Sequence, residues 1–84
     1  MKTTINSLIK LATISNNKNR IELYKAMAQK LKNATKQEQN HLLEHFYANL
    51  CGLMAHSEME SNEYNKLNIL LKHLQNICQA SQQS

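Results

Sequence analysis

The sequence has few of the residues that interrupt regular structure. It contains no Pro, no Trp and no Asp, and Gly52 is the single Gly among 84 residues. Folds built from many short strands need Gly and Pro in their turns, so a β-sandwich is strongly disfavoured. The length excludes a two-domain enzyme, a dinucleotide-binding fold and a barrel, and it predicts one small domain over residues 1–80.

Long apolar runs are also missing. No stretch reaches the roughly 18 apolar residues of a membrane span, and residues 1–15 show no convincing cleavage site for a signal peptide. We therefore expect a cytoplasmic protein without a membrane span. Cys51 and Cys78 fall at apolar helix positions, which favours reduced, buried thiols. A disulfide, the less favoured alternative, would need an oxidising compartment.

Four segments show apolar residues three or four positions apart, the periodicity of amphipathic helices. They cover about residues 3–14, 18–33, 36–55 and 62–79 and predict an all-α fold, a small bundle of four short helices. The expected stripes of the first and last helices are Ile5, Leu8, Ile9 and Ala12, and Tyr64, Leu67, Leu71, Leu74 and Cys78. Residues 81–84 are expected to form a frayed polar tail.

The clearest local signal is a capping box. Thr35 and Glu38 have the spacing at which a hydroxyl and a carboxylate each satisfy a free N–H at a helix start. Thr3 or Thr4 is expected to cap the first helix. Gly52, near the end of the third helix, lowers helix propensity by up to about 1 kcal/mol. It is expected either to admit another backbone or to mark the fraying end of the helix.

Charge is distributed unevenly along the chain. Residues 1–36 contain eight Lys or Arg and one Glu, a formal +7, whereas residues 37–84 contain two Lys and five Glu, a formal −3. The two halves either offset each other on packing or leave a basic face for an acidic protein or nucleic acid. At about 100° per residue, four lysines fall within about 40° if the second helix runs far enough. The candidate partner-binding residues are these lysines and an Ile outside the apolar arc of the fourth helix: Lys18, Lys25, Lys32, Lys36 and Ile69.

The only string that matches a catalytic motif is H-x-x-E-H at His41, Glu44 and His45, the pattern of inverted zinc proteases. Catalytic zinc needs a third protein ligand, and the rest of the chain must build the core. We expect a solvated helix face, with adventitious binding of a transition metal at the His pair as the alternative. With no Asp and one Gly, a nucleophilic triad is not credible either. Neither a cofactor nor an enzymatic activity is expected.

Two faint family resemblances accompany these patterns. The run from Leu31 to His41, following Asn16 to Asn19, resembles small enterobacterial connector proteins of biofilm and acid-stress signalling, over about residues 16–54. Those proteins are helical dimers that contact regulators, so the resemblance implies a protein–protein role. The four-helix layout with a basic balance is similar to bacteriocin immunity proteins. No functional residue is transferred from either family.

These features favour a small non-enzymatic interaction protein of bacterial or phage type, a regulator, adaptor or inhibitor. It would bind a macromolecular partner through charged helix faces. One alternative is a basic nucleic-acid-binding protein, which the lysines favour but the single Arg and the missing Trp do not. The other is an immunity or antitoxin-like antagonist. Widened apolar stripes on the second and fourth helices leave room for a homodimer.

Overall fold

The computed structural model describes residues 2–83, with side chains described as far as Cys78. The chain forms four helices: α1 (Lys2–Ile14), α2 (Lys18–Asn33), α3 (Lys36–His56) and α4 (Ser61–Gln83). No strand occurs between residues 2 and 83, so the predicted all-α bundle is confirmed. The side chains of the predicted tail, residues 81–84, lie outside the described part of the chain.

The helices pack as two close pairs joined through α1 and α4. Helix α1 packs against α2, α3 packs against α4, and α1 also contacts α4. Consecutive helices α2 and α3 approach each other over only a short stretch. Tyr24, Met27 and Phe46 belong to the core. Most of the core consists of leucines from all four helices: Leu8, Leu11, Leu31, Leu43, Leu50, Leu67, Leu70, Leu71 and Leu74.

The buried face of α1 differs from the expected stripe. Leu8, Leu11 and Thr4 are buried, whereas Ile9, expected in the core, is 50% exposed. Because α1 packs on both α2 and α4, its buried arc centres on the residues that face both helices, and Ile9 lies outside that arc. The expected cap was also wrong, because α1 is already helical from Lys2 and Thr4 is one of its buried residues.

The starts of α2 and α3 are fixed by side-chain caps. The Thr35 Oγ1 accepts from the Glu38 N–H at 3.3 Å, and the Thr35 N–H donates to Glu38 Oε1 at 3.4 Å, which confirms the capping box. Asn17 caps α2 in a similar way, because its Oδ1 accepts from the Arg20 N–H at 3.0 Å. These caps therefore fix the residues at which α2 and α3 begin.

Gly52 does not admit another backbone, as one of its two expected roles required. Helix α3 continues past it to His56, and a Cβ added at Gly52 would have no neighbour within 4 Å. Its φ is not positive, so the backbone there does not require glycine. The prediction of a close backbone approach was therefore wrong, and the glycine only lowers the helix propensity of α3.

We expect Gly52→Ala to raise the free energy of unfolding by about 0.5–1 kcal/mol, because alanine restricts the unfolded chain and enters open space. Urea unfolding followed by circular dichroism measures the change. Ala48→Gly, at another exposed position of α3, is the matched control and should lower stability by a similar amount. A Gly52→Ala protein no more stable than the wild type would contradict this account of the glycine.

Candidate interaction surface

A buried ion pair joins the first turn of α2 to the first turn of α4. Arg20 Nε donates to Glu63 Oε2 at 2.7 Å, and Arg20 Nη2 donates to Glu63 Oε1 at 3.2 Å. The Tyr24 hydroxyl donates to Glu63 Oε2 at 2.6 Å. The Arg20 and Glu63 side chains are only 7% and 1% exposed. Both carboxylate oxygens are thus hydrogen-bonded, which a buried charge requires if it is to be tolerated.

The same arginine ties the link between α1 and α2 into this cluster. Arg20 Nη2 also donates to Asn16 Oδ1 at 3.1 Å. Asn16 Nδ2 in turn donates to Glu60 Oε1, the residue before α4, at 3.3 Å. The α1–α2 link and the start of α4 are therefore connected by side chains as well as by packing.

The environment of the cluster shifts the pKa of each ionisable member. Burial acts to raise the pKa of the Glu63 carboxyl, but the hydrogen bonds from Arg20 and Tyr24 outweigh it and the pKa is lowered. The bond to Glu63 raises the pKa of Arg20 against the effect of burial. Burial, then the bond to Glu63, raises the pKa of the Tyr24 phenol. At neutral pH the cluster therefore contains one carboxylate, one guanidinium and a neutral phenol.

This cluster was missed in the sequence, and it explains the exposure of Tyr64. Tyr64 was expected in the core stripe of α4, but it is 47% exposed and the neighbouring Glu63 is buried instead. Arg20 lies four residues before Tyr24 and Glu63 lies four before Leu67, so both charges are in phase with the buried stripes of their helices. Opposite charges at core positions in two helix starts are the signal that could have revealed the pair.

With Arg20 buried, the basic surface of α2 consists of lysines. Lys18, Lys25 and Lys32 are all exposed and lie seven residues apart, within about 40° of one another around the helix axis. We call these three residues the α2 lysine ridge. Lys36 is exposed too, but α2 ends at Asn33, so Lys36 is the first residue of α3 and does not extend the ridge.

Among the described residues, no carboxylate lies within ion-pair distance of a ridge lysine. Within residues 2–78, Arg20 and Glu63 form the one ion pair with nitrogen and oxygen closer than 4 Å. Glu22, exposed on α2 one turn beyond Lys18, is not within that distance of a lysine. The ridge therefore presents ammonium groups to solvent.

Ile69 lies on a different part of the surface from the ridge. It is 68% exposed on α4 and lines a recess of about 150 Å³ together with Ser7, Lys10 and Lys66. Ser7 and Lys10 belong to α1, so the recess lies between α1 and α4. We call it the α1–α4 recess. The predicted partner-binding residues therefore lie on three helices, with the ridge lysines on α2, Lys36 on α3 and Ile69 on α4.

The remaining candidate groups of the sequence are distributed over α3 and α4. His41 and His45 are exposed, and residues 2–78 contain no cluster of three His, Cys, Asp or Glu side chains able to hold a metal. Cys51 and Cys78 are free and half-buried, somewhat less covered than expected. Burial, with the Glu44 carboxylate nearby, raises the pKa of the Cys78 thiol, which lowers its thiolate fraction at neutral pH.

Over the described residues, no helix combines the length and the apolar character that crossing a bilayer requires. Comparison with protein-family models, with curated proteins and with solved structures finds no match to this chain. Inferences about function therefore depend on the charges and recesses of the surface itself.

Glu63→Gln is expected to lower the free energy of unfolding by about 3 kcal/mol at pH 7, because it leaves the buried Arg20 without a counter-charge. The lowered pKa of Glu63 means that its contribution is present above the ordinary glutamate pKa of about 4.3 and is lost as the pH falls through the folded-state value. The stability difference between wild type and variant should therefore shrink on acidification. Urea unfolding between neutral and acidic pH measures it.

Glu60→Gln is the matched control, since the Glu60 side chain is exposed and its one hydrogen bond in the described part of the chain is the long bond from Asn16. Equal stabilities of the Glu60→Gln and Glu63→Gln proteins at pH 7 would contradict the role of the pair. If Glu63→Gln does not fold, the triple variant Arg20→Met, Tyr24→Phe and Glu63→Leu should still do so. It removes both charges and the Tyr24 hydroxyl together, so neither charge is left buried without its partner.

Proposed function

We propose that the chain is a small non-enzymatic interaction protein, a regulator, adaptor or inhibitor, that binds an acidic macromolecular partner through the α2 lysine ridge. The observation that supports it is the contrast between the two kinds of cation on α2. Arg20 is neutralised inside by Glu63, whereas Lys18, Lys25 and Lys32 are exposed on one side of the helix. On α2, three of the four exposed lysines therefore lie along one side of the helix, where a partner can contact them together.

The spacing of the ridge suits long-range attraction. Successive lysines are about 10 Å apart along the helix axis, close to the Debye length of about 8–10 Å at physiological ionic strength. Their mutual repulsion is therefore weak, while their potentials still add in front of the helix. Such a surface favours fast association with an acidic partner that weakens as salt is added.

A nucleic acid is the second candidate partner, since phosphates are attracted by the same lysines. Non-specific backbone contact is the form this binding would take. Arginine is the usual reader of guanine edges, and Arg20 faces Glu63 and Asn16 instead of solvent. Tyr24 and Phe46 are buried and Tyr47 is half-buried. The exposed Tyr64 on α4 is therefore the one aromatic side chain with a largely free surface for stacking on a base, and the ridge itself has none. An acidic protein therefore remains the favoured partner.

Cytoplasmic location and a bacterial or phage origin belong to this proposal, as does an immunity or antitoxin-like role within the inhibitor class. Self-association is a further part of it. Half-buried apolar side chains flank the core on α2 and α4, among them Leu23 and Ile77, and a second copy would cover such residues. Sedimentation equilibrium of the purified chain distinguishes the monomer from the homodimer.

Charge reversal on the ridge tests the proposed function. Lys25→Glu with Lys32→Glu should reduce recovery of the bound partner about tenfold or more in affinity purification from the producing cell, quantified by mass spectrometry. Both lysines are exposed, so the circular dichroism spectrum should keep its helical intensity. Lys30→Glu with Lys72→Glu carries the same change in net charge at exposed positions outside the ridge and should retain the partner. Equal recovery with both double variants would contradict the proposal.

Gel shifts against salt distinguish nucleic acid from protein as the partner. If the protein binds duplex DNA through phosphate contacts, the logarithm of its affinity should fall by roughly 0.9 per contact for each tenfold increase in salt concentration. Neutralising the ridge should make this fall less steep. We expect the protein not to shift a 20-base-pair duplex at physiological salt. If it does, and if Lys25→Glu with Lys32→Glu removes the shift, the partner of the ridge is a nucleic acid and not an acidic protein.

A further inference from the structure

The α1–α4 recess combines an exposed apolar side chain with two cations. Ile69 is the most exposed of the large hydrophobic side chains, and Lys10 and Lys66 line the recess with it. An isoleucine in this setting gains from being covered, because its apolar surface is removed from water. The two ammonium groups favour a ligand that carries negative charge.

The charge of the two helices that form the recess is not offset at the surface. Helices α1 and α4 contain one carboxylate side chain, Glu63, and it is buried against Arg20. All four lysines of these helices are exposed: Lys2, Lys10, Lys66 and Lys72. The buried pair thus leaves no exposed carboxylate side chain on the described parts of α1 and α4 themselves, and the nearest one in sequence is Glu60, directly before α4 and bonded to Asn16.

The charge of the α1–α4 recess differs from that of the recess between α2 and α3. The recess between α2 and the start of α3 is lined by Lys30 and Leu42 but also by Glu38, so its charges cancel. The α1–α4 recess has no acidic lining residue. The recess has a volume of about 150 Å³ and is open to solvent, so it offers room for the end of one apolar side chain beside Ile69.

We propose that the α1–α4 recess binds an acidic peptide segment of a partner protein. One apolar side chain of the segment enters the recess and packs on Ile69, and carboxylates on either side of it pair with Lys10 and Lys66. This inference rests on the proposed interaction function and names a second contact and its chemistry. A nucleic-acid backbone could also pair with the lysines. It would, however, place polar phosphate and sugar groups against Ile69, so the apolar contact would not form.

The test uses a labelled acidic peptide of glutamates and serines with one central leucine, titrated into the ¹⁵N-labelled protein. Chemical-shift changes should centre on Ser7, Lys10, Lys66 and Ile69. Ile69→Ala should weaken binding about tenfold, a typical loss for an apolar anchor. Because Ile69 is largely exposed, this variant keeps the fold. Lys10→Glu with Lys66→Glu should abolish binding, and the matched reversal Lys25→Glu with Lys32→Glu should leave the shifts at the recess in place.

A second peptide with serine in place of the leucine separates anchored binding from simple attraction between opposite charges. It should bind at least tenfold more weakly than the leucine peptide. Equal affinity of the two peptides, shifts centred on the α2 lysine ridge, or tighter binding of a DNA oligonucleotide at the recess would each overturn the inference. If the wild-type protein fails to bind the leucine peptide while partner recovery still depends on the ridge lysines, the recess proposal alone is rejected. If partner recovery is insensitive to reversal of the ridge lysines, the proposed function is rejected.

Discussion

The bidentate bond between Arg20 and Glu63 is the constraint on which the arrangement of this bundle depends. A carboxylate and a guanidinium at core positions lose most of their hydration, so the cost of burial is offset only in the one geometry that pairs them. That geometry requires the first turn of α4 to lie within reach of the long Arg20 and Tyr24 side chains of α2, although the two helix backbones do not pack against each other. It also sets the rotation of α4, because the residue that faces the core at its start is Glu63 and not Tyr64. Tyr24 completes the arrangement by donating to the same carboxylate.

The pair also decides which charges remain outside. It removes the only arginine and the only glutamate of α4 from the surface. What remains on α1, α2 and α4 is predominantly lysine, with Glu22 as the exposed exception. The basic surface proposed for partner binding is in this sense a consequence of how the core is built. Lysine, with its hydrated ammonium on a flexible stem, suits attraction of acidic partners better than bidentate recognition.

The helices and one cap could be predicted from sequence because those signals are local. Apolar spacing of three and four residues places each helix start within one residue of its observed position, and Thr35 with Glu38 marks the start of α3. Helix α4 runs four residues further than predicted, to Gln83, because the polar end of the chain contains no Gly or Pro to stop it. The rotation of each helix was harder, since it depends on which neighbours it packs against. Apolar spacing therefore predicted Ile9 and Tyr64 to be in the core, whereas both are exposed and Glu63 is buried next to Tyr64. The α1–α4 recess joins Lys10 to Ile69, residues too far apart in sequence for periodicity to relate them.

The central claim is that Glu63 is ionised and bonded to Arg20 inside the folded protein. Carbon-13 NMR of the glutamate carboxyl groups, followed through an acid titration, tests it most directly. The account predicts that the Glu63 resonance titrates below the ordinary glutamate pKa of about 4.3, and that the Arg20 Nε–H exchanges slowly with solvent until that carboxyl is protonated. A Glu63 carboxyl that titrates at or above the ordinary value, with rapid exchange of the Arg20 Nε–H at neutral pH, would contradict it.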